Sequence, residues 1–430
     1  MIEARILLLG ASGFIGREVF ASLAARGHQV VPAVRRAARA PAFATQRAIE
    51  IDLNRDTTVD AWLARLAGID AVVNCAGILQ ATPGQSIQAI HATAPIALFE
   101  ACERAGVKRV VQVSAISATS QAGTPYAATK LAADDRLRAM RLDWTILRPS
   151  LVHARGSYGG TSAFRALAAL PFAIPAPGAG TQSFQPLWID DLCEVIAVAL
   201  ETDRLVRKTL DPVGPEAVTL RTILEDYRRW LGFAPAPVVP IPGPVVRLAA
   251  IAGDYLGGPI NSTALRQLEH GNTGDSAAFA AASGVEALGW KEALAAHPAH
   301  AQDRWHARLY FVRPLLRFTL AGLWLLSGFA GLAALREWSP LLAQDAHIPY
   351  ATAFLALAAA CLLDIGFAIL VARRFRPRRL ALLQLATIAA YTLAASALWP
   401  SLWVEALGPL AKNLPIAAAV LALGAIEEER

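Results

Sequence analysis

The last third of this chain is written for a different solvent from the rest, and that limits its fold more than any other feature. Residues 315–335, 348–372, 380–404 and 406–426 form four apolar stretches of membrane length. A helix needs roughly 20 apolar residues to cross a bilayer core. Across all 430 residues only 17% are charged and the mean hydropathy is +0.40, too apolar for a wholly soluble protein. The formal net charge of +6 does not point to nucleic acid, because much of the basic excess lies beside the apolar stretches. Arg308, Arg313 and Arg317 precede or open the first, and Arg373, Arg374, Arg376, Arg378 and Arg379 lie between the second and third. The opposite loops carry only Arg336 and Lys412. The positive-inside rule therefore predicts an inner-membrane, multi-pass protein whose arginine-rich loops and termini are cytoplasmic.

The opening of the chain has another pattern. Arg5-Ile6-Leu7-Leu8-Leu9 reads as a buried strand that breaks on Gly10-Ala11-Ser12-Gly13-Phe14-Ile15-Gly16 and resumes as a helix. It lacks the basic start and small-residue cleavage site of a targeting sequence. Further apolar runs at Gln29–Val34, Ala71–Asn74 and Arg109–Val113 alternate with helical patterns. This alternation predicts an α/β fold, a Rossmann-like doubly wound parallel sheet. Four cysteines, Cys75, Cys102, Cys193 and Cys361, show no CxxC spacing, which suggests neither a disulfide framework nor a zinc site. His297 and His300 lack companion ligands, so no metal site is expected.

Each glycine of the first turn has a physical purpose. Gly10 permits the tight turn, Gly13 lets backbone amides approach a pyrophosphate, and Gly16 lets the helix pack close to the strand. A dinucleotide is the expected ligand, contacted along Gly10, Ser12, Gly13, Phe14, Ile15 and Gly16. The second strand ends in Val34-Arg35-Arg36 with no acid to accept from a ribose hydroxyl. Arginine forks suit a 2′-phosphate, which points to NADP(H) rather than NAD(H), unless Arg35 and Arg36 only solvate a loop. Further on, Tyr126 and Lys130 stand one helical turn apart. A cation there lowers the pKa of the phenol and makes Tyr126 a proton donor to a carbonyl, with Ser114 or Ser117 to polarise it.

Together with Asn74-Cys75-Ala76-Gly77 and Leu147-Arg148-Pro149-Ser150, these residues resemble an extended or atypical short-chain dehydrogenase/reductase. They are similar to the group of the NADPH-binding accessory subunit of respiratory complex I. The resemblance covers residues 1–300, with the substrate region mainly 150–300. It implies that Tyr126 is the acid/base, Lys130 binds the nicotinamide ribose and tunes Tyr126, Asp52 and Leu53 lie at the adenine, and Ala76 and Gly77 line the cofactor channel. The serine does not align cleanly, and Ser114 is taken as the assisting one. Atypical members often lose catalytic residues, so a nucleotide-binding scaffold or sensor subunit is the competing class. A redox-neutral epimerase or dehydratase is the third.

The loop from His153 to Thr161, containing Arg155 and Tyr158, reads as substrate-side. Asp190 or Asp191 reads as an N-cap. Residues 234–244 read as a proline-rich linker, followed by Val245, Leu248, Ala249, Ala252 and Leu256 as a core helix face. Residues 301–314 are expected to be a juxtamembrane linker. Residues 315–430, and above all Gly408-Pro409-Leu410-Ala411-Lys412-Asn413-Leu414-Pro415, look like a DoxX-like membrane domain, all-α with four transmembrane helices. Within it Asp364 either faces a polar partner or snorkels to the cytoplasmic end. The whole implies a membrane-anchored NADP(H)-dependent oxidoreductase for a hydrophobic, membrane-borne carbonyl or alcohol, with the bilayer and a membrane complex as partners.

Overall fold

The computed structural model describes residues 3–42, 44–82, 84–256, 261–406 and 408–427. The chain divides into two compact units, Met1–Ala307 and Arg308–Arg430.

The first unit is built on a seven-stranded parallel sheet. Its strands are β1 (Arg5–Leu9), β2 (Gln29–Val34), β3 (Ile49–Glu50), β4 (Ala71–Asn74), β5 (Arg109–Val113), β6 (Asp143–Leu147) and β7 (Lys208–Leu210). They are arranged β7-β6-β5-β4-β1-β2-β3. The continuous apolar run of β1 follows from burial on both faces. Ile6 and Leu8 enter one core with Val19 and Leu23 of helix α1 (Phe14–Ala25). Leu7 and Leu9 enter the opposite core with Leu98 of α2 (Ala94–Ala105) and Leu137 of α3 (Pro125–Arg138). The order of strands reverses between β1 and β4, and such a switch point opens a ligand crevice at the carboxyl ends of the strands.

The substrate region has its own core, in which Phe184, Leu220, Leu224, Tyr227 and Trp290 pack together. Two sequence expectations fail here. Asp190 and Asp191 do not cap α4 (Ile189–Glu201); the cap position is Trp188, and the acids fall in the first turn, where they complement the helix dipole. Asp190 accepts from the Trp188 indole at 2.9 Å and Asp191 from the Leu288 amide at 2.9 Å. Val245, Leu248, Ala249 and Ala252 are exposed, and among the described residues of helix α5 (Gly243–Leu256) Ala250 is the buried one. Because this segment is apolar almost all round, its periodicity does not single out the buried face. The side chain of Leu256 lies outside the described residues.

The second unit is helical. Helix α6 spans Ala301–Ala333, α7 Leu335–Asp345, α8 Tyr350–Ala372, α9 Pro377–Leu398 and α10 Asn413–Ile426. Three of them, α6, α8 and α9, are long and apolar enough to cross a membrane. Several boundaries differ from expectation. Residues 301–314 are helical rather than a linker, with Pro314 inside α6. The third apolar stretch stops at Leu398, because Pro400 opens a short 3₁₀ turn. The fourth apolar helix has only 14 residues, about 21 Å of helix, since Gly408 and Pro409 keep the preceding segment irregular. Helix α7 was not expected; Arg336, Glu337, Pro340 and Asp345 made it resemble a loop.

Candidate nucleotide and catalytic site

The site is assembled from what each strand does as it leaves the sheet. At the end of β1, Gly10 adopts φ +73°, and a Cβ there would stand 3.0 Å from the Cys75 and Ala76 backbone. A Cβ at Gly16 would stand 2.1 Å from the Gly10 carbonyl oxygen, so only glycine lets α1 begin this close to the turn. Gly13 precedes α1 with an extended backbone and no side-chain cap. The first amides of that helix are thus left for an anion. Ser12, Phe14 and Ile15 are half-buried beside it. This cradle fits a dinucleotide pyrophosphate.

Arg35 and Arg36 follow β2 directly and are exposed. Past β3, Leu53 is buried and the Asp52 carboxylate accepts from the Asn54 amide at 3.0 Å, shaping the turn. Past β4, Asn74 accepts from the Ala76 amide at 3.1 Å and donates to Gln112 at 2.8 Å, fixing the loop that carries Ala76 and Gly77. Past β5 comes Ser114. The expected residues therefore gather along the carboxyl edge of one sheet, in the order of its strands.

Helix α3 starts where Thr124 accepts from the Ala127 amide and Pro125 occupies the first position. It brings Lys130 inward, 4% exposed. Its ammonium donates to the Val113 carbonyl at 2.9 Å and the Ala76 carbonyl at 3.4 Å, tying β5 to the β4 loop. Burial pushes its pKa down, partly opposed by Asp134 and Cys75. The phenol of Tyr126 is pushed up to about 12, first by burial and then by the Asp134 carboxylate. The expected lowering of the phenol is therefore not found, and the Lys130 ammonium is directed at two backbone carbonyls instead. The phenol stays protonated at neutral pH.

Ser114 donates to the Asp134 carboxylate at 2.5 Å, so its proton is committed. Asp134 is fully buried, and burial lifts its carboxyl to about 6 against the Ser114 hydrogen bond and the Lys130 charge. Ser117 is buried three residues on.

Two residues of this site were missed in the sequence. One is Asp134, which stands one turn after Lys130. The other is His91, on a π-helical turn, Ala89–Thr93, a distortion found often at functional sites. His91 Nε2 accepts from the Ile78 amide at 2.9 Å, which assigns the proton to Nδ1, 3.1 Å from Thr129 Oγ1. Thr129 in turn donates to the Pro125 carbonyl at 2.7 Å. Burial and Lys130 push His91 down to about 2, so it stays neutral. Its ring meets Tyr126 edge-on at 5.3 Å. His91 thus holds the Gly77 loop against the helix that carries Tyr126. The i,i+4 step from Lys130 is the signal that could have found Asp134; no local spacing announces His91.

On the substrate side, Tyr158 is 69% exposed and stacks on Phe14 with centroids 6.4 Å apart. His297 stacks on Trp188 at 4.3 Å, and among the described residues no group of three metal-ligating side chains occurs.

An NAD(P)H-binding family model matches residues 10–164, and a DoxX-like family model matches residues 321–421. Among known proteins, 3-diazoavenalumate denitrifying reductase of a Streptomyces species is 32% identical over 271 residues, covering 55% of this chain and 84% of that one. Ceramide reductase of Caulobacter vibrioides is 26% identical, covering 55% and 74%. Subunit 9 of the mitochondrial NADH dehydrogenase (ubiquinone) 1 alpha subcomplex of Arabidopsis thaliana is 26% identical over 262 residues. That match covers 58% of this chain and 63%, less than two thirds, of the subunit. MoeE5, solved with UDP-glucose and NAD, superposes with a TM-score of 0.53 at 23% identity, covering 71% of this chain and 99% of that one, and shows the shared fold. The chain belongs to the NAD(P)H-binding proteins of short-chain dehydrogenase/reductase type. It carries a DoxX-like membrane domain at its C-terminal end.

Proposed function

We propose that the chain is a membrane-anchored, NADP(H)-dependent oxidoreductase acting on a hydrophobic carbonyl or alcohol, with its nucleotide-binding unit in the cytoplasm. The observation that carries the reading is the placement of Tyr126 on the helix whose Lys130 spans the β4 and β5 ends, beside the glycine cradle. The bound cofactor supplies or accepts the hydride. Gly10, Gly13 and Gly16 with the α1 amides seat its pyrophosphate, and Arg35 and Arg36 take a 2′-phosphate. Asp52 and Leu53 flank the adenine, and Ala76 and Gly77 line the channel to the reacting end. Tyr126 donates the proton to the carbonyl oxygen. Lys130 holds the ribose and keeps the β4 and β5 ends together. The relatives named as reductases support the redox reading, and the apolar helices with the relative named a ceramide reductase support a lipophilic substrate drawn from the inner membrane.

A second reading rests on Ser114. With its proton given to Asp134, Ser114 is not free to polarise a carbonyl, which favours a nucleotide-binding scaffold in a membrane complex. One experiment separates the two readings. Tyr126→Phe keeps the ring, so NADPH binding should persist while NADPH oxidation with lipophilic carbonyls falls by roughly 10²–10⁴-fold. Unchanged function of the variant in a deletion strain gives the domain to the scaffold reading, and equal affinity for NADH and NADPH removes the role given to Arg35 and Arg36.

A further inference from the structure

Asp364 lies in α8, eight residues from its end at Ala372, about 12 Å along the axis. It does not snorkel. It is 4% exposed and receives hydrogen bonds from two neighbouring helices: Ser327 Oγ on α6 donates to Oδ2 at 2.7 Å and the Tyr391 hydroxyl on α9 donates to Oδ1 at 3.2 Å. Cys361, one turn away on its own helix, is the remaining titratable neighbour among the described residues. Among the described residues no cation pairs with this carboxylate, whereas the other buried carboxylate of the bundle, Glu427, pairs with Arg317.

An ionised carboxylate with only neutral partners is costly in an apolar bundle. The arrangement nevertheless satisfies both protonation states. Tyr391 has a second acceptor, the Ala360 carbonyl, at 3.3 Å. When Asp364 is ionised, the phenol donates to it. When Asp364 is protonated, the phenol turns to Ala360 and its oxygen accepts the new carboxyl proton. A carboxylate kept solely as a structural acceptor has no use for that alternative.

We propose that Asp364, Ser327 and Tyr391 form a proton-binding site inside the DoxX-like bundle, at which the Asp364 carboxyl takes up and releases a proton. The exchange is one proton in and one out, with no electron moved. Polar side chains lead from it toward the arginine-rich end: Trp324 on α6 donates to Gln384 on α9 at 2.7 Å, and Arg317 on α6 pairs beyond with Glu427, which follows α10. The site stands independently of the reading of the nucleotide unit.

Ser327 is exposed on the bundle and Tyr391 is 36% exposed, so a reagent dissolved in lipid can reach the carboxyl. Membranes containing the full chain are treated with dicyclohexylcarbodiimide, which reacts with protonated carboxyls, across pH 5 to 10, and adducts are mapped by mass spectrometry. Asp364 should be labelled at low pH, with labelling lost as pH rises, and Asp364→Asn should abolish the adduct. Ser327→Ala and Tyr391→Phe each remove a donor to the anion and should move the midpoint up by about one pH unit. These variants leave the carboxyl in place, so they report even where Asp364→Asn fails to insert. Labelling that is absent at every pH, or equal at every pH, overturns the proposal.

Discussion

Lys130 in the first unit and Asp364 in the second are buried by opposite means, and the contrast follows from their backbones. In the parallel sheet the strands end with unspent carbonyls, and Lys130 is buried by donating to two of them, at Val113 and Ala76. In the bundle the helices satisfy their own backbone, as membrane segments must. Asp364 and Gln384 therefore find their principal partners in side chains from other helices. A strand edge offers a ready polar site to whatever residue reaches it, whereas a helical bundle has to build one from side chains.

Glycine replacement tests this contrast most severely. Gly16→Val places side-chain atoms where a Cβ alone meets backbone at 2.1 Å, and should cost about 3 kcal/mol or more, seen as lost NADPH binding and lost amide protection in β1. Gly366→Ala in the bundle meets nothing within 4 Å and should leave both units intact. Equal damage from both would show that close backbone approach is not what distinguishes the nucleotide turn.

Lys130→Met comes next. It leaves the buried Val113 carbonyl without its donor, at about 1–3 kcal/mol for a group left unsatisfied, and the half-buried Ala76 carbonyl loses a weaker contact. Hydrogen exchange should quicken at Val110–Val113 even without cofactor. Loss of cofactor affinity alone, with unchanged exchange, would assign Lys130 to the ligand rather than to the sheet edge.

These residues also show what a sequence can disclose. The sheet, the glycine cradle and the apolar helices were legible because each rests on local rules: a continuous apolar run, a glycine where a Cβ cannot fit, a length that matches a bilayer. Tyr126 and Lys130 were legible as a pair on one helix, but not the destination of the ammonium, which depends on where β4 and β5 end. His91 and Asp134 were missed because their roles come from contacts with Ile78 and Ser114, far from them in the chain. The short fourth helix and α7 were misread because proline and charge near an apolar run resemble a loop until packing decides.

The missed pair predicts a pH dependence. Folded Asp134 holds its proton to about pH 6, whereas the unfolded chain releases it near the ordinary 3.8. Between these values the folded state binds more protons, so this group makes stability fall as pH rises. His91 acts in the other direction: it stays neutral down to about pH 2 when folded but protonates near 6.5 when unfolded, so stability falls as pH drops below 6.5. The two oppose each other between pH 4 and 6. Asp134→Asn keeps an acceptor for Ser114 and removes one side of the opposition, so protection in β5 should rise more steeply with pH over that window than in the native protein. Parallel pH profiles would mean that Asp134 is not buried as an acid.

The smallest effect is expected in the bundle, and it tests the comparison from the other side. Gln384 is 3% exposed, accepts from the Trp324 indole and donates to the Leu380 carbonyl of its own helix at 3.2 Å. In water-soluble cores, orphaning a buried donor costs about 1–3 kcal/mol. In membranes such interhelical hydrogen bonds average only about 0.6 kcal/mol, because the separated helices also find partners. Gln384→Leu preserves the bulk of the side chain, so in detergent or bilayer its loss of stability should be near that lower figure, far below the loss for Lys130→Met. If forced unfolding of the full chain in a bilayer shows Gln384→Leu to be as damaging as Lys130→Met, side-chain pairs in this bundle are as binding as backbone carbonyls at the sheet edge. The distinction between a polar site that a fold supplies and one that it must build would then be lost.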